Sequence, residues 1–303
     1  MKKAILIDAN HLLSRTFHVP AFQSMKSVVD DEVVMTGATF GFICSLKNII
    51  EKHQKPDDSL VVIWDGGRGF RKELSVEYKA NRSSRTPEFI FQLELTQEFL
   101  RLLGVMQCQQ IDAEADDIIA VLAQRARLKN YDVLIISGDK DFNQIVDDHV
   151  NVLNPKGGNE YVLMTPEKVE EHYGIPPKYF ADYLALLGDS SDNVKGIDGV
   201  GKKTAMKLIL GNGSIEDIIK ANQHFEIDDN NSKKPVSSKL QAKINDSKKI
   251  IELSKKLVLL RTDFKDFNST CDEPDFIALK KLFKKYSFKS FLAGFSEFVT
   301  MFS

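Results

Sequence analysis

Cysteine is scarce in this sequence. Cys44, Cys108 and Cys271 are the only three in 303 residues, they lie far apart, and no CxxC pair occurs. That pattern excludes a zinc knuckle or a disulfide framework as the basis of the fold, and the odd count fits a reducing compartment. Long apolar runs are missing too, and none approaches the length of a membrane span. The opening MKKAILIDANHLL has two lysines but only a short apolar stretch, which Asp8 interrupts. A secretory leader is therefore not expected, and the expected location is cytoplasmic. There is no internal repeat. Net charge is nearly absent at −2, so overall charge points neither toward nor away from a nucleic-acid partner.

What is present is ordinary in amount and uneven in arrangement. Hydrophobic residues make up 43% and charged residues 28%, as in soluble globular proteins. The length allows one large domain or two smaller ones. Residues 110–150 hold nine acids against four Lys/Arg, and residues 232–290 hold fifteen Lys/Arg against seven acids. An acidic centre with basic flanks suits a metal site approached by a polyanion.

The acids recur at the ends of elements. Asp8 follows AILI, Asp65 follows LVVIW, Glu114, Asp116 and Asp117 open a helix, Asp139 and Asp141 follow the strand DVLIIS, and Asp189 and Asp192 lie in GDSSDNVKG. Any one of these has an ordinary structural explanation, since Asp caps helices and fills turns and acids complement a helix N-terminus. Five such places together are harder to explain that way. Strand C-terminal ends are where open α/β sheets bind ligands. Carboxylates gathered there raise one another's pKa unless cations intervene, and an oxygen-only ligand set suits Mg²⁺ or Mn²⁺.

Along the chain, AILIDA reads as a buried strand, residues 36–53 as an amphipathic helix, Leu60 to Trp64 as a second strand, and Pro87 to Leu103 as a helix. Val105 to Gln110 and Asp132 to Ser137 read as strands on either side of the acidic helix. Val150–Leu153 and Glu160–Met164 read as an edge pair around PKGGN. The alternation predicts a mainly parallel α/β sheet. Between lies GGRGFRKELSVEYKANRSSRTPEF, with six Lys/Arg from Arg68 to Arg85. A solvated loop is the plain reading, but the segment leaves an acidic strand end, so a basic substrate segment is expected, with Phe70 and Tyr78 as stacking faces for bases.

From Thr165 the composition turns helical. Thr165 with Pro166 marks a helix start, PPKYFADYLALLG reads as a second helix, and SSDNVKGIDGVGKKTAMKLIL as helix, glycine turn, helix. Gly196, Gly199 and Gly201 allow close backbone approach, and Lys202 and Lys203 open a helix whose N–H groups can hold a phosphate. Residues 224–238 read as a polar loop, Lys239 to Leu253 as one basic helix, VLLRTD as extended, and 274–303 as a phenylalanine-rich helical tail packed back on the core.

IDANHLL, IWDGG with FRKELSVEYKANR, DAEADD, SGDKDF and GDSSDNVKGIDGVGKKTA together resemble the 5′-nuclease family, which includes the 5′ nuclease domain of bacterial DNA polymerase I, phage 5′→3′ exonucleases and flap endonucleases. The resemblance covers nearly the whole chain, most clearly 1–265. It implies a PIN-like α/β nuclease core over 1–170 with a helical arch near 68–95. Residues 171–303 would carry a helix–three-turn–helix DNA-binding element near 176–210 and a C-terminal helical region. The family's acidic positions match Asp8, Asp65, Glu114, Asp116, Asp117, Asp139, Asp141, Asp189 and Asp192 without a loss, which favours an active enzyme. The implied cofactor is Mg²⁺, two or more ions, with Mn²⁺ able to substitute. Asp8, Asp65, Glu114 and Asp116 would serve one ion and Asp139, Asp141 and Asp192 the other, with Asp116 shared and Asp117 and Asp189 acting through waters.

The basic arch residues match Arg71, Lys79 and Arg82, with Lys79 and Arg71 expected at the scissile phosphate and Arg82, Arg85 and Tyr78 on neighbouring DNA. The glycine turn (Gly196, Gly199, Gly201, Lys202, Lys203) would grip duplex backbone, with K⁺ on its carbonyls as a further candidate. The implied activity is 5′→3′ exonuclease and 5′-flap endonuclease by a stand-alone monomeric enzyme, on flaps, nicked or branched duplex and RNA–DNA primers, alongside replication proteins. A PIN-type ribonuclease and a non-catalytic branched-DNA binder are the alternatives.

Overall fold

The computed structural model describes residues 1–156, 160–221, 225–228, 230–263 and 267–302. Its centre is a seven-stranded sheet of β1 (Lys3–Asp8), β2 (Ser59–Trp64), β3 (Met106–Gln109), β4 (Asp132–Ile136), β5 (Val150–Pro155), β6 (Tyr161–Met164) and β7 (Asn268–Thr270). The spatial order is β7-β3-β2-β1-β4-β5-β6. The five inner strands pair in parallel, while β7 and β6 close the two edges antiparallel. The strands are short apolar runs because both faces are covered. Ile5 and Ile7 point into one core and Leu6 into the other, the two-residue period of a strand.

Each face has its own cover. Helix Ala115–Leu128 and the helices of residues 166–258 share one core through Ile118, Ile119, Phe180, Leu184, Leu208 and Ile251. Helices Gly37–His53 and Pro87–Leu102 make the other with Phe42, Leu46, Leu95 and Phe99. The tail crosses to that second face. Its helices Phe276–Lys285, Lys289–Ala293 and Phe295–Thr300 bring Phe283 against Phe99 and Phe291, with ring centroids 5.0 and 5.2 Å apart.

Several expectations need revision. Over 68–95 the arch is one short helix, Gly69–Leu74, a run of turns to residue 86, and then the start of the long helix, which packs on the sheet. The basic helix read as Lys239–Leu253 is two helices, Ser238–Asp246 and Lys248–Val258, which break at Ser247, where the amide bonds back to Lys243 and Ile244. The loop read over 224–238 contains a small antiparallel pair, Phe225–Ile227 with Lys233–Pro235. A hairpin, Lys26–Val29 with Glu32–Met35, lay in a stretch for which the pattern predicted nothing. The GGN of PKGGN, His224 and Asp229 of the polar loop, and Ser303 of the tail lie outside the described residues.

The tail's anchoring is testable. Phe283 is fully buried, so Phe283→Ala should lower unfolding free energy by about 3–5 kcal/mol, the usual cost of emptying a buried phenylalanine site. Urea denaturation measures it; a loss below 1 kcal/mol would mean the tail is not part of the cooperative core.

Candidate metal centre

Strand order reverses between β1 and β4, and a sheet of this kind opens a crevice at the C-terminal ends of such strands. Asp8 ends β1 and caps the helix Ala9–Phe17, accepting from His11 N at 3.0 Å. Ser137, just past β4, donates its hydroxyl to Asp8 Oδ2 at 2.8 Å and receives the Asp139 amide at 3.0 Å. Asp65 follows β2. Its Oδ1 accepts the Ala115 amide at 2.9 Å, so it caps the acidic helix from another strand. Glu114, at the N-cap position, makes no capping bond, and its carboxylate is left to face the cleft. Asp116 sits in the first turn of the same helix.

These groups line one cleft of about 710 Å³ with Asp8, Asp65, Glu114, Asp116 and Asp139 on its floor and Lys79, Arg82 and Arg85 among its walls. Beside it Asp141, Asp189 and Asp192 offer carboxylate oxygens that all lie within 4.8 Å of one another. Burial first, then the charges of Asp65 and Asp139, push the Asp8 carboxyl up to about 7. Burial, with Asp139 and Asp8, pushes Asp116 well above the usual carboxylate range, and burial with Asp139, Asp192 and Asp189 does the same to Asp141. Asp189 differs. Burial opposes its ionisation, but bonds from Ser191 and Lys140 outweigh that and its pKa falls. Asp141 Oδ1 and Asn10 Nδ2 are buried and make no hydrogen bond. The unpaired Asp141 oxygen, lying among acids that resist ionisation, fits a hard divalent cation.

The basic segment lies across the acids. The Lys79 ammonium contacts Glu114 and approaches Asp192 at 3.4 Å, and its amide donates to the Asp192 carbonyl at 2.9 Å. Arg82 pairs with Asp192 at 2.5 Å and Arg85 with Asp65 at 3.1 Å, each guanidinium remaining nearly half exposed. Asn81 and Asn193 stitch the two segments together through Ser190 O and Glu77 O, at 3.0 and 2.7 Å.

Four expected residues play other parts. Arg71, expected at the scissile phosphate, is 4% exposed and does not line the cleft. Its guanidinium makes two bonds to Asp117, at 2.6 and 2.8 Å, and donates to the carbonyls of Leu257 and Leu259. Asp117 also accepts the Arg261 amide at 2.9 Å, so both its oxygens are committed away from the other acids. This pair is a buried strut between the acidic helix and residues 257–261. Tyr78, expected as a stacking face, is 3% exposed with its hydroxyl 3.0 Å from Glu114 and 3.2 Å from Asp192. The Phe70 ring is likewise covered, by the Arg261 guanidinium at 4.1 Å.

Sequence reasoning missed the supporting groups. Asn10 Oδ1 receives the Asp65 amide at 2.8 Å, Lys140 pairs with Asp189 at 2.9 Å, and His11 packs so tightly on Gly138 that a Cβ there would lie 2.5 Å from its Nε2. IDANH and SGDK placed these residues beside the acids; nothing in the spacing gave their partners.

The glycine turn is formed for different reasons at each position. A Cβ at Gly196 would meet Leu187 O at 2.3 Å, and Gly199 has φ +78, so the fold itself requires both. Gly201 caps the helix Lys202–Asn212 at φ −91, and a Cβ there would meet nothing within 4 Å. Lys202 and Lys203 are exposed beside it. The Lys243 ammonium donates to the Asp198 carbonyl of the turn at 2.9 Å.

Comparison with known proteins gives a consistent set of likenesses. The family described as 5′-3′ exonuclease, N-terminal resolvase-like domain, matches residues 3–174, and 5′-3′ exonuclease, C-terminal SAM fold, matches 175–277. A thermostable DNA polymerase I of Thermus aquaticus is 34% identical over 97% of this chain and 33% of its own length. A DNA polymerase I of Mycobacterium tuberculosis is 39% identical over 71% of this chain and 24% of its own. The chain thus spans about a third or less of these relatives. Among solved structures, a bacteriophage T5 flap endonuclease described as a complex with DNA and metal ions has a TM-score of 0.68 at 20% identity, covering 99% of both chains. The catalytic core of Rad2 in complex with DNA substrate has a TM-score of 0.56 at 16% identity, covering 94% of this chain and 87% of its own. At these identities the likeness is one of fold.

The raised Asp8 pKa gives a signed expectation. The folded protein holds a proton there that the unfolded chain releases near pH 3.8, so stability is lost as pH rises from about 4 to about 7. Asp8→Asn keeps the shape without the charge. It should stabilise the metal-free protein at pH 8 by up to ~4 kcal/mol, at ~1.4 kcal/mol per pKa unit, and have little effect at pH 3.5. Urea melts in a chelator at both pH values measure this; an equal change at both would sink the electrostatic account.

Proposed function

This chain belongs to the 5′-3′ exonuclease family, and on that premise we propose that it is a structure-specific 5′ nuclease that hydrolyses DNA phosphodiesters with Mg²⁺. The observation that carries the reading is the convergence of two carboxylate groups, one in the cleft and one at Asp141, Asp189 and Asp192, the second with an unpaired buried oxygen on Asp141, and with cations lining the cleft. Asp8, Asp65, Glu114 and Asp116 would hold one ion, and Asp139, Asp141, Asp189 and Asp192 a second. Held by these carboxylates, divalent ions would supply an acidified water as nucleophile and charge stabilisation for the leaving 3′ oxygen. Ser137 and His11 N fix the Asp8 carboxylate, and Asn10 and the Ala115 amide fix Asp65. Lys79, Arg82 and Arg85 face the space a phosphodiester must enter and would stabilise its charge. Arg71 serves the site through Asp117 and Glu114, which its guanidinium meets at 2.6 and 3.0 Å, rather than by touching the phosphate. Mn²⁺ would fit the same oxygen ligands. K⁺ at the glycine turn is not needed for this reading; the Lys243 ammonium donates to the Asp198 carbonyl there.

Substrates of this class are 5′ flaps, nicked or branched duplexes and RNA–DNA primers, gripped by backbone contacts at Gly201, Lys202 and Lys203 without reading sequence. Cleavage of a 5′-labelled flap, a nicked duplex, an RNA–DNA hybrid and a single-stranded RNA, each with and without Mg²⁺, tests the reading. Flap cleavage is expected only with the metal, and cleavage of single-stranded RNA alone would favour a ribonuclease instead. Asp116→Asn should abolish cleavage and leave DNA affinity within a few-fold; wild-type turnover in saturating Mg²⁺ would remove Asp116 from the site. Gly201→Val should fold normally, given the open space around it, yet weaken duplex binding about tenfold or more with no change in sequence preference. Unchanged affinity would rule out this turn as the duplex grip.

A further inference from the structure

We propose that the lysine strip of the tail, Lys280, Lys281, Lys284, Lys285 and Lys289, is a second nucleic-acid contact that carries the single strand passing the cleft. The inference rests on the nuclease reading above. No acid occurs between Asp275 and Glu297, and all five lysines are exposed. No carboxylate partner to any of them is found among the described residues; Lys280 and Lys285 lie instead over the rings of Phe295 and Tyr286, at 5.2 and 5.8 Å.

The helix Phe276–Lys285 buries Leu279 and Phe283. That leaves the pairs 280/284 and 281/285 as two rows on the outer side, each step about 6 Å along the axis. Like charges at this spacing oppose helix formation. The last two complement the helix C-terminus, but Lys280 and Lys281 lie above the last turn, and Lys289 opens the next helix, where the dipole disfavours a cation. Rows of ammonium groups at this interval, with no carboxylate partner among the described residues, match successive phosphates of an extended strand.

The placement gives the strip a direction. The Asp275 amide bonds to the Leu102 carbonyl at 3.0 Å, at the far end of the helix Pro87–Leu102. Tyr286, at the other end of the tail helix, meets Phe91 with ring centroids 6.2 Å apart, and its carbonyl accepts the Ser27 hydroxyl at 2.6 Å. The two helices therefore run antiparallel. Lys284, Lys285 and Lys289 lie toward the cleft end, where Arg85, Thr86 and Phe89 form the wall, and Lys280 and Lys281 lead away from it. The strip is on the opposite face of the sheet from the glycine turn, so one duplex grip does not account for both.

The test is binding without divalent metal, which separates it from catalysis. Duplexes carrying 5′ flaps of two, six and twelve nucleotides, and a blunt duplex, are titrated against wild type, the Lys280/281/284/285→Gln variant and the corresponding Glu variant. Wild-type affinity is expected to rise with flap length, about tenfold from two to twelve nucleotides. The Gln variant should lose most of that rise, the Glu variant all of it, and the salt slope on the longest flap should fall by up to about 3, at ~0.7 per phosphate released. Blunt-duplex affinity should stay within twofold, which also reports correct folding. Length dependence unchanged in both variants, or absent from wild type, would overturn the proposal, as would an equal loss on the blunt duplex. Failure of the nuclease reading would show separately, as no Mg²⁺-dependent cleavage by the wild type.

Discussion

Mutual repulsion among buried carboxylates is the constraint around which this molecule is built. A parallel sheet delivers Asp8, Asp65 and Asp139 to one edge, and a helix start adds Glu114 and Asp116. Burial and the neighbouring charges raise the cost of ionising Asp8 and Asp116. The fold reduces that cost locally with donors, which are Ser137 and His11 N for Asp8 and the Ala115 amide for Asp65. It also draws cations inward. Lys79, only 5% exposed, would be costly to bury without Glu114 and Asp192 around it. The residue even adopts φ 51, unusual for a lysine, with its amide held on Asp192.

The same constraint explains why the two family regions cannot be separated at the site. Asp189 and Asp192 come from the second, Asp141 from the first, and the basic segment binds both through Asn81, Asn193 and Lys79. Arg71 repeats the arrangement at depth, with Asp117 on one side and the carbonyls of residues 257 and 259 on the other. A shift of the helix Lys248–Val258 would therefore be transmitted to the helix that carries Glu114 and Asp116. The charges that make the centre possible also fix its position relative to the helical region.

Much of this was legible in the sequence because it is local. Strands read from short β-branched runs, and the acids read from their places just beyond them. The α/β class and mainly parallel sheet follow from alternation. The parts that did not read depend on distant partners. Arg71 and Arg82 are both arginines in one basic run, and only the position of Asp117 and of two carbonyls near residue 258 makes one a strut and the other a wall of the cleft. Tyr78 looked like an exposed ring because its neighbours are polar; burial by Glu114 and Asp192 is a long-range fact. The break at Ser247 was hidden because lysines continue on both sides of it. The tail's packing onto the core was expected from its phenylalanines, but its choice of face was not, since apolar residues specify burial and not a particular partner.

The antiparallel strand Asn268–Thr270 pairs with β3 at the edge of the sheet. Until that segment has been synthesised, β3 presents unpaired amides and carbonyls, and Phe99 lacks the ring of Phe283. An open edge beside an uncovered aromatic surface is an aggregation hazard for a nascent chain. Six of the seven strands lie within residues 3–164, and the seventh, Asn268–Thr270, follows about a hundred residues later. Folding during translation would therefore pause with a nearly finished sheet that has one sticky side, and the speed at which residues 268–302 emerge would set how long that side stays exposed.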